Sequence, residues 1–257
     1  MRDAIEQASG EKYTSIALSP LPIVFCIASH KLQVNSSLSR ILCEMVQKEG
    51  KQPVVEPKRR GRPPAYDRDA ALQQATDAFW RAGFSGTSLD ELAAATGMNR
   101  PSLYAAFGDK RALYLHALDR YWRQAYAAMD AALEPNAPLC EALMRVYRMA
   151  LSLYFPVNGR PRGCFAIGTA TTEAMQDPSV RRAFADGLRA LDRRFEARIR
   201  AARDGGELAS DADPGALALF ASATLHTLAV RARSGTPRAE LERLARRAVS
   251  LICAVRG

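Results

Sequence analysis

From Asp67 onward, apolar residues recur every three to four positions, and no stretch of useful length alternates apolar with polar residues. The first spacing is typical of helices that bury one face, whereas alternation would indicate half-buried strands. In the first stretch, Leu72, Ala75 and Phe79 fall on one such face. Gly83 follows, and glycine commonly ends a helix. The pattern therefore predicts an all-α fold.

Two short helices are predicted next. Thr87 is a suitable N-cap for the first, and Gly97 ends it. Asn99 can cap the second, residues 100–107, in which Pro101 is tolerated because a first-turn N–H has no helical partner. Two short helices joined by a tight glycine turn are the plan of a helix-turn-helix DNA reader, whose second helix enters the major groove. An ordinary helical hairpin is the alternative.

The remaining helices are longer. Asp109 caps a predicted helix that runs to about residue 133. Beyond the breaker EPNAP, five more are predicted at about 138–155, 163–176, 179–203, 214–233 and 237–255. The chain is thus predicted to form about nine helices, divided into an N-terminal three-helix head and a larger helical half.

The second short helix has an outward face with groups suited to DNA. Leu103 and Phe107 are four positions apart and point inward with Ala106. The residues left facing outward are Arg100, Ser102, Tyr104 and Ala105. Arginine can bind guanine through two hydrogen bonds, serine a base or a phosphate, tyrosine a phosphate, and alanine a thymine methyl group.

A short basic segment precedes the first helix. Residues 58–62, KRRGR, place four cations among five positions, and two prolines follow. Arg60 and Arg62 flank a glycine, as in arms that lie along an A·T-rich minor groove. The formal net charge of +9 also favours a polyanionic partner such as double-stranded DNA. The alternative is a basic run that only increases solubility.

Residues 87–113, TSLDELAAATGMNRPSLYAAFGDKRAL, carry a longer pattern. They resemble the DNA-binding signature of the tetracycline-repressor (TetR) family of bacterial transcription regulators. The residues spaced as in that signature are Leu103, Tyr104, Phe107, Lys110 and Leu113. The resemblance covers residues 67–120 closely and the remainder only in its length and all-helical plan.

The resemblance implies a homodimer that binds a palindromic operator and, as the family default, represses transcription by blocking polymerase. It implies that Thr87, Tyr104 and Lys110 contact phosphates. It also implies a small-molecule effector that changes the spacing of the two DNA-reading heads. Lys110 lies in the first turn of a helix, where anions are favoured, although a chance surface lysine is the alternative. Family members often have histidine or another polar residue where this chain has Ala105 and Ala106, so fewer base-edge hydrogen bonds are expected.

Lysine usage marks a boundary near the basic segment. Five of the six lysines lie at or before Lys58, whereas the chain after it uses arginine almost exclusively. We therefore expect residues 1–57 to lie outside the working fold, either as a disordered extension or as a stretch upstream of the true start, for which Met45 is a candidate. Residues 58–110 then form the arm and DNA-binding domain, and residues 111–257 the effector-binding and dimerisation domain.

Two surfaces are predicted in the larger half. The last two helices carry apolar stripes that suit a four-helix seam about a two-fold axis, or an intramolecular core. These apolar residues are Leu217, Phe220, Ala221, Leu225, Leu228, Leu241, Leu244, Ala248, Leu251 and Ile252. The preceding helices enclose a candidate effector pocket, although each lining residue also suits an ordinary core. The candidate lining is Trp122, Tyr126, Met144, Tyr147, Tyr154, Phe155, Phe165 and Met175.

The five cysteines form no CxxC motif, and their odd number argues against a disulfide framework and for a reducing cytoplasm. Cys164 lies at a predicted helix start close to Arg160 and Arg162. These arginines and the helix dipole can lower a thiol pKa, which would make Cys164 a thiol sensor. A buried, inert cysteine is the alternative.

The sequence lacks the motifs of common enzymes and metal sites. The three histidines are isolated, no GxSxG motif is present, and no carboxylate-histidine cluster has metal-ligand spacing. We therefore expect no enzyme activity, metal or cofactor.

The apolar run at residues 16–29 is shorter than the about 20 residues of a bilayer span and contains two prolines, so no membrane segment is expected. A nonspecific architectural DNA protein that uses the basic segment alone is the second alternative.

Overall fold

The computed structural model describes residues 66–255. Within that range the chain forms nine helices and no strand, which confirms the predicted all-α fold. The helices are α1 (Arg68–Ala82), α2 (Leu89–Thr96), α3 (Arg100–Phe107), α4 (Lys110–Ala132), α5 (Leu139–Tyr154), α6 (Phe165–Gln176), α7 (Pro178–Asp204), α8 (Pro214–Arg233) and α9 (Arg238–Cys253). Their ends lie close to the predicted positions.

Side-chain caps begin the helices around the predicted DNA-reading surface. At the start of α3, the Oδ1 atom of Asn99 accepts the Ser102 N–H at 2.8 Å. At the start of α4, the Oδ1 atom of Asp109 accepts the Ala112 N–H at 2.7 Å. Each bond satisfies a first-turn N–H group that has no partner inside the helix. Gly97, which separates α2 from α3, has a φ of 64°, a conformation that glycine adopts without steric cost.

The cap of α2 is Ser88, and the expectation that Thr87 would cap this helix is wrong. The Ser88 Oγ atom accepts the Glu91 N–H at 3.1 Å, and the Glu91 carboxylate accepts the Ser88 N–H at 2.6 Å. This reciprocal pair is a capping box. Thr87 is buried, and its hydroxyl donates to the Gly83 carbonyl at 2.6 Å. The helix therefore begins one residue later than expected, at the position where Glu91 can complete the pair.

Helix α1 contacts α3 through Arg68. Leu103 and Phe107 of α3 are buried, as predicted. Arg68 of α1 donates to the Ala106 carbonyl at 3.1 Å, and its guanidinium carbon lies 5.2 Å from the centroid of the Phe107 ring. Helix α1 is therefore one of the elements that position α3, together with its chain neighbours α2 and α4.

Helix α4 runs from the head into the larger half without a break. Near its start, Tyr114 is buried against Phe79 of α1, with ring centroids 5.3 Å apart. Further along, Trp122 packs against Gly187 of α7, where an added Cβ atom would lie 2.1 Å from the indole ring. Only glycine allows so close an approach. Helix α4 is therefore tightly packed both at Tyr114 and at Trp122.

A disulfide joins Cys140 to Cys253, contrary to the expectation of no disulfide. It connects the first turn of α5 to the last turn of α9, with the two Cα atoms 6.1 Å apart and a sequence separation of 113. The pair was not predictable from spacing, because α5 and α9 are neighbours only in the folded chain. Cys164 is buried and is not part of a disulfide.

Helix α8 is partly core and partly surface. Among residues 66–255 it is the one helix long and apolar enough, by length and composition, to cross a bilayer, a test that core helices of soluble proteins also pass. Its buried side packs on α5, α7 and α9. Its other side exposes Leu219, Phe220 and Val230.

Candidate nucleic-acid interface and effector cavity

The free face of α3 carries four of the side chains that were predicted to contact DNA. Tyr104 is 46% exposed, Arg100 and Ala105 are also exposed, and Ser102 is half-buried. The buried anchors of the helix lie on its other side. A short helix with one anchored and one free face has the geometry needed to enter a major groove.

Arg100 was expected to be free, but it forms an ion pair with Asp90 of α2. Its Nε and Nη2 atoms donate to Asp90 Oδ1 at 2.9 and 2.6 Å, and Nη2 also lies 2.6 Å from Oδ2. The two side chains are 54% and 74% exposed. A pair in such contact with water contributes only about 0–1 kcal/mol, so a guanine or a phosphate can compete for the guanidinium.

The two other predicted phosphate contacts differ in their surroundings. Lys110 begins α4, and its ammonium lies 4.4 Å from the centroid of the Phe84 ring, beside a helix N-terminus that favours anions. Thr87 does not fit a phosphate contact, because it is buried and its hydroxyl proton is donated to Gly83. The sequence analysis missed Ser88 as the N-cap of α2. Ser88 is exposed at the start of this helix, and its S-x-x-E spacing with Glu91 indicates a capping box in the sequence itself.

Arg60 and Arg62 lie outside the described residues, so the role of the basic segment stays a prediction. The same is true of residues 1–57 and of the candidate start at Met45.

A cavity of about 470 Å³ lies between α4, α5, α6, α7 and α8 and reaches α1. Its lining includes Gln73, Trp80, Tyr121, Trp122, Met129, Met149, Tyr154, Arg162, Cys164, Ile167, Leu191, Leu225 and His226. These side chains are mostly aromatic, aliphatic or sulfur-containing. Among the described residues, no aspartate or glutamate lines the cavity. Both tryptophans of the protein are in the lining. The volume suits a small organic molecule.

The predicted pocket residues fall into two groups. Trp122 and Tyr154 line the cavity. The residues that lie outside the lining are Tyr126, Met144, Tyr147, Phe155, Phe165 and Met175. Tyr147, for example, is buried in the core and donates to the Ala221 carbonyl at 3.0 Å, whereas Met175 is 78% exposed. The helical period identifies a buried face, but it does not distinguish a residue beside a cavity from one in packed core.

Three ring nitrogens of the lining have no hydrogen-bond partner within the described residues. They are Nε1 of Trp80, Nε1 of Trp122 and Nε2 of His226. Burial lowers the pKa of His226, so its imidazole is neutral at pH 7. All three nitrogens are enclosed by protein atoms, and an added Cβ atom at Gly187 would lie 2.5 Å from the Nε1 atom of Trp122, so these atoms are not open to the cavity in this conformation.

Cys164 lines the cavity as a protonated thiol. Its Sγ atom lies 3.0 Å from the Tyr121 hydroxyl, and burial raises the pKa of the thiol. The predicted sensor role required a lowered pKa, caused by Arg160, Arg162 and the helix N-terminus. That activation is not found, because burial outweighs the hydrogen bonds from Tyr121 and from the first turn of α6, and the structure favours the alternative of an inert cysteine.

A groove of about 600 Å³ adjoins the cavity on the side of α1. Its charged lining consists of Asp77, Arg81, Arg160, Arg162 and Arg233. Trp80 and Arg162 line both the groove and the cavity, so they form the wall between the two. The sequence analysis did not identify Trp80 as part of a site, and it named Arg162 only as an influence on Cys164.

Helices α8 and α9 expose an apolar surface. It includes Leu219, Phe220 and Val230 of α8 and Leu251 of α9. Phe220 and Leu251 were predicted for the dimer seam. The predicted seam residues that are buried in the intramolecular core instead are Ala221, Leu225, Leu228, Leu241, Ala248 and Ile252. The core role is therefore confirmed for the buried side of α8 and for α9, and the dimer seam stays a prediction for the exposed side.

Comparison with known proteins agrees with this geometry. Residues 71–117 match the family described as bacterial regulatory proteins, tetR family, and residues 141–249 match the tetracyclin repressor-like C-terminal domain. The HTH-type transcriptional repressor ComR of Escherichia coli (strain K12) is 33% identical over 187 residues, which are 73% of this chain and 88% of that protein. The uncharacterized HTH-type transcriptional regulator YezE of Bacillus subtilis (strain 168) is 31% identical over 161 residues, 62% of this chain and 82% of that protein.

Solved structures give the same result. A cysteine mutant of the TetR family transcriptional regulator CifR, complexed with 26-bp double-strand operator DNA, is 35% identical with a TM-score of 0.68, over 73% of this chain and 98% of that one. A TetR family regulator from Cytophaga hutchinsonii is 22% identical with a TM-score of 0.65, over 74% of this chain and 94% of that one, and supports the fold alone. With its helix-turn-helix head and its helical C-terminal half both matched, the chain belongs to the TetR family of bacterial regulatory proteins and is a DNA-binding transcription regulator of that dimeric family.

Proposed function

We propose that this regulator is a homodimeric repressor that holds a palindromic operator with its two α3 helices and is released by a small molecule in the cavity. The observation that carries the proposal is the position of Trp80. This residue lies in α1, which contacts α3 through Arg68, and it also lines the cavity. A ligand that moves Trp80 therefore acts on one of the helices that position the DNA reader.

The proposed DNA contacts lie on α3, at the start of α4 and in the basic arm. They are Arg60, Arg62, Arg100, Ser102, Tyr104, Ala105 and Lys110. Arg100 would exchange Asp90 for a guanine or a phosphate. Tyr104 and Lys110 would bind phosphates, which fix the position of the head, and Ser102 and Ala105 would contact base edges.

The relative ComR supports repression over activation, because it is named a transcriptional repressor. The structure of CifR, a regulator complexed with operator DNA, supports operator binding. In the proposed assembly, the exposed apolar surface of α8 and α9 meets its copy about a two-fold axis. The palindrome of the operator then reflects the symmetry of the protein.

We further propose the domain division that the sequence suggested. Residues 58–110 would form the arm and head, residues 111–257 the effector-binding and dimerisation domain, and residues 1–57 would lie outside the working fold. The proposed place of action is the cytoplasm, where the operator is. The proposed activity is binding alone, without a catalytic residue.

Sequencing the genomic DNA that copurifies with the protein tests this function. We expect a small number of two-fold symmetric sites with half-sites about one helical turn, or a small multiple of it, apart. Ser102→Ala should change the base preference within a half-site, whereas Tyr104→Phe should weaken all sites alike because it removes only a phosphate contact. Equal recovery of all A·T-rich DNA would contradict the proposal and support an architectural protein.

A further inference from the structure

Arg162 stands between the cavity, the groove and the DNA-binding head. Its guanidinium carbon lies 3.7 Å from the centroid of the Trp80 ring, and its Nη1 atom lies 3.1 Å from Asp77 Oδ1. Both partners belong to α1, whereas Arg162 belongs to the segment between α5 and α6. The backbone at this position is also held, because the Arg162 N–H donates to the Tyr154 carbonyl at 2.9 Å and Arg233 donates to the Arg162 carbonyl at 3.2 Å. Arg162 thus ties α1 to the larger half from a firmly held segment.

The cavity offers a cation but no carboxylate within the described residues. Because the imidazole of His226 is neutral, the charged side chain of the described lining is that of Arg162. An organic cation would find no counterion here, whereas an apolar molecule with an anionic head would find one.

We infer that the effector is an amphipathic organic anion, whose apolar body fills the cavity and whose carboxylate or sulfonate head binds Arg162 in competition with Asp77. The inference rests on the proposed function, because it takes this cavity as the effector site. The planar guanidinium matches such a head through paired hydrogen bonds. The Arg162 and Asp77 side chains are 30% and 37% exposed, so water already weakens their ion pair.

Displacement of Asp77 by the anion affects the DNA-binding head through α1. When the anion displaces Asp77, α1 loses one of its ion pairs with the larger half, while the pair between Asp69 of α1 and Arg120 of α4 remains. Helix α1 in turn contacts α3 through the hydrogen bond from Arg68 to the Ala106 carbonyl. A neutral molecule of the same shape would fill the cavity but leave the tie to Asp77 in place, so it should bind without releasing the operator.

Two dyes with the same ring system test the charge preference. 1-Anilinonaphthalene-8-sulfonate carries the anionic head, and N-phenyl-1-naphthylamine lacks it. Because both tryptophans line the cavity, energy transfer from tryptophan to each dye reports binding at or near this site. We expect Arg162→Gln to weaken the sulfonate dye about tenfold and the neutral dye by less than about twofold. Equal losses for the two dyes, or no loss for the sulfonate dye, would overturn the inference.

Two further variants sharpen the test. Arg160→Gln is the matched control, because Arg160 lines the groove but not the cavity, and it should leave the affinity of both dyes unchanged. Asp77→Asn removes the competing carboxylate without altering Arg162. It should tighten binding of the sulfonate dye severalfold, and weaker binding would contradict the competition.

Operator release is measured separately, by the fluorescence anisotropy of labelled operator DNA. Release by the sulfonate dye and not by the neutral dye is the expected result and supports both the anion site and the effector role. Charge-selective binding without release would support the anion site and contradict the proposed function of the cavity.

Discussion

Asp90 of α2 holds Arg100 of α3 in a bidentate ion pair. The candidate guanine contact of α3 is therefore already paired with a carboxylate. Asp90→Ala frees the guanidinium and removes a carboxylate from the DNA-facing surface. We expect operator affinity at low salt to rise severalfold in an anisotropy titration, because the pair no longer competes with DNA. Glu134→Gln, in the exposed loop after α4, is the charge-matched control and should have no effect. A weaker complex would mean that Asp90 positions Arg100 for DNA.

The predicted basic arm can be tested through the salt dependence of binding. Replacing both Arg60 and Arg62 with alanine should weaken the operator complex and reduce the slope of log K against log salt by about two. The replacement of two surface arginines in α9, Arg243 and Arg246, is the control. An unchanged slope would exclude the arm from the interface.

The capping box of α2 makes stability depend on pH. The N–H and hydroxyl of Ser88 hold the pKa of the Glu91 carboxyl below its ordinary value of 4.5. A pKa lowered by folding stabilises the folded state above the ordinary pKa, and this stabilisation is lost as the pH falls through the folded value. Glu91→Ala should therefore lower the melting temperature at pH 7 more than at about pH 3. The same loss at both pH values would show that the carboxylate charge does not contribute.

The disulfide between Cys140 and Cys253 should be visible in thermal unfolding. Reduction should lower the free energy of unfolding by about 2–4 kcal/mol, because the cross-link restricts a long loop of the unfolded chain. Cys140→Ser should remove the dependence on reductant. Cys164→Ser should retain it, since that cysteine is outside the disulfide. A melting temperature that reductant leaves unchanged would contradict the cross-link.

The exposed apolar surface of α8 predicts how the dimer can be broken. Leu219→Glu places a charge on this surface and should convert the dimer into a monomer, because an unpaired charge is costly to bury in an interface. Light scattering after size-exclusion chromatography measures the mass. Val157→Glu is the matched control, because Val157 is 99% exposed in the loop between α5 and α6. A dimer that tolerates Leu219→Glu would place the interface elsewhere.

The sequence by itself determined the features that depend on neighbouring residues. Helix positions followed from apolar period and from caps such as Asn99 and Asp109, because a helix begins and ends through bonds within about four residues. The anchors Leu103 and Phe107 followed in the same way, and with them the free face of α3. Even the misplaced cap of α2 was a local matter, since Ser88 and Glu91 were readable as a capping box.

Only the tertiary structure decided which distant residues meet. The pairing of Cys140 with Cys253, the wall formed by Trp80 and Arg162, and the protonated state of Cys164 depend on which helix faces pack together. A helical period indicates that a face is buried, but the position of a cavity and the pKa of a buried group depend on the angle and spacing of the helices that surround it. For this reason the bounds, the cap and the buried anchors of α3 could be predicted from the sequence, whereas the cavity became apparent only in the folded chain.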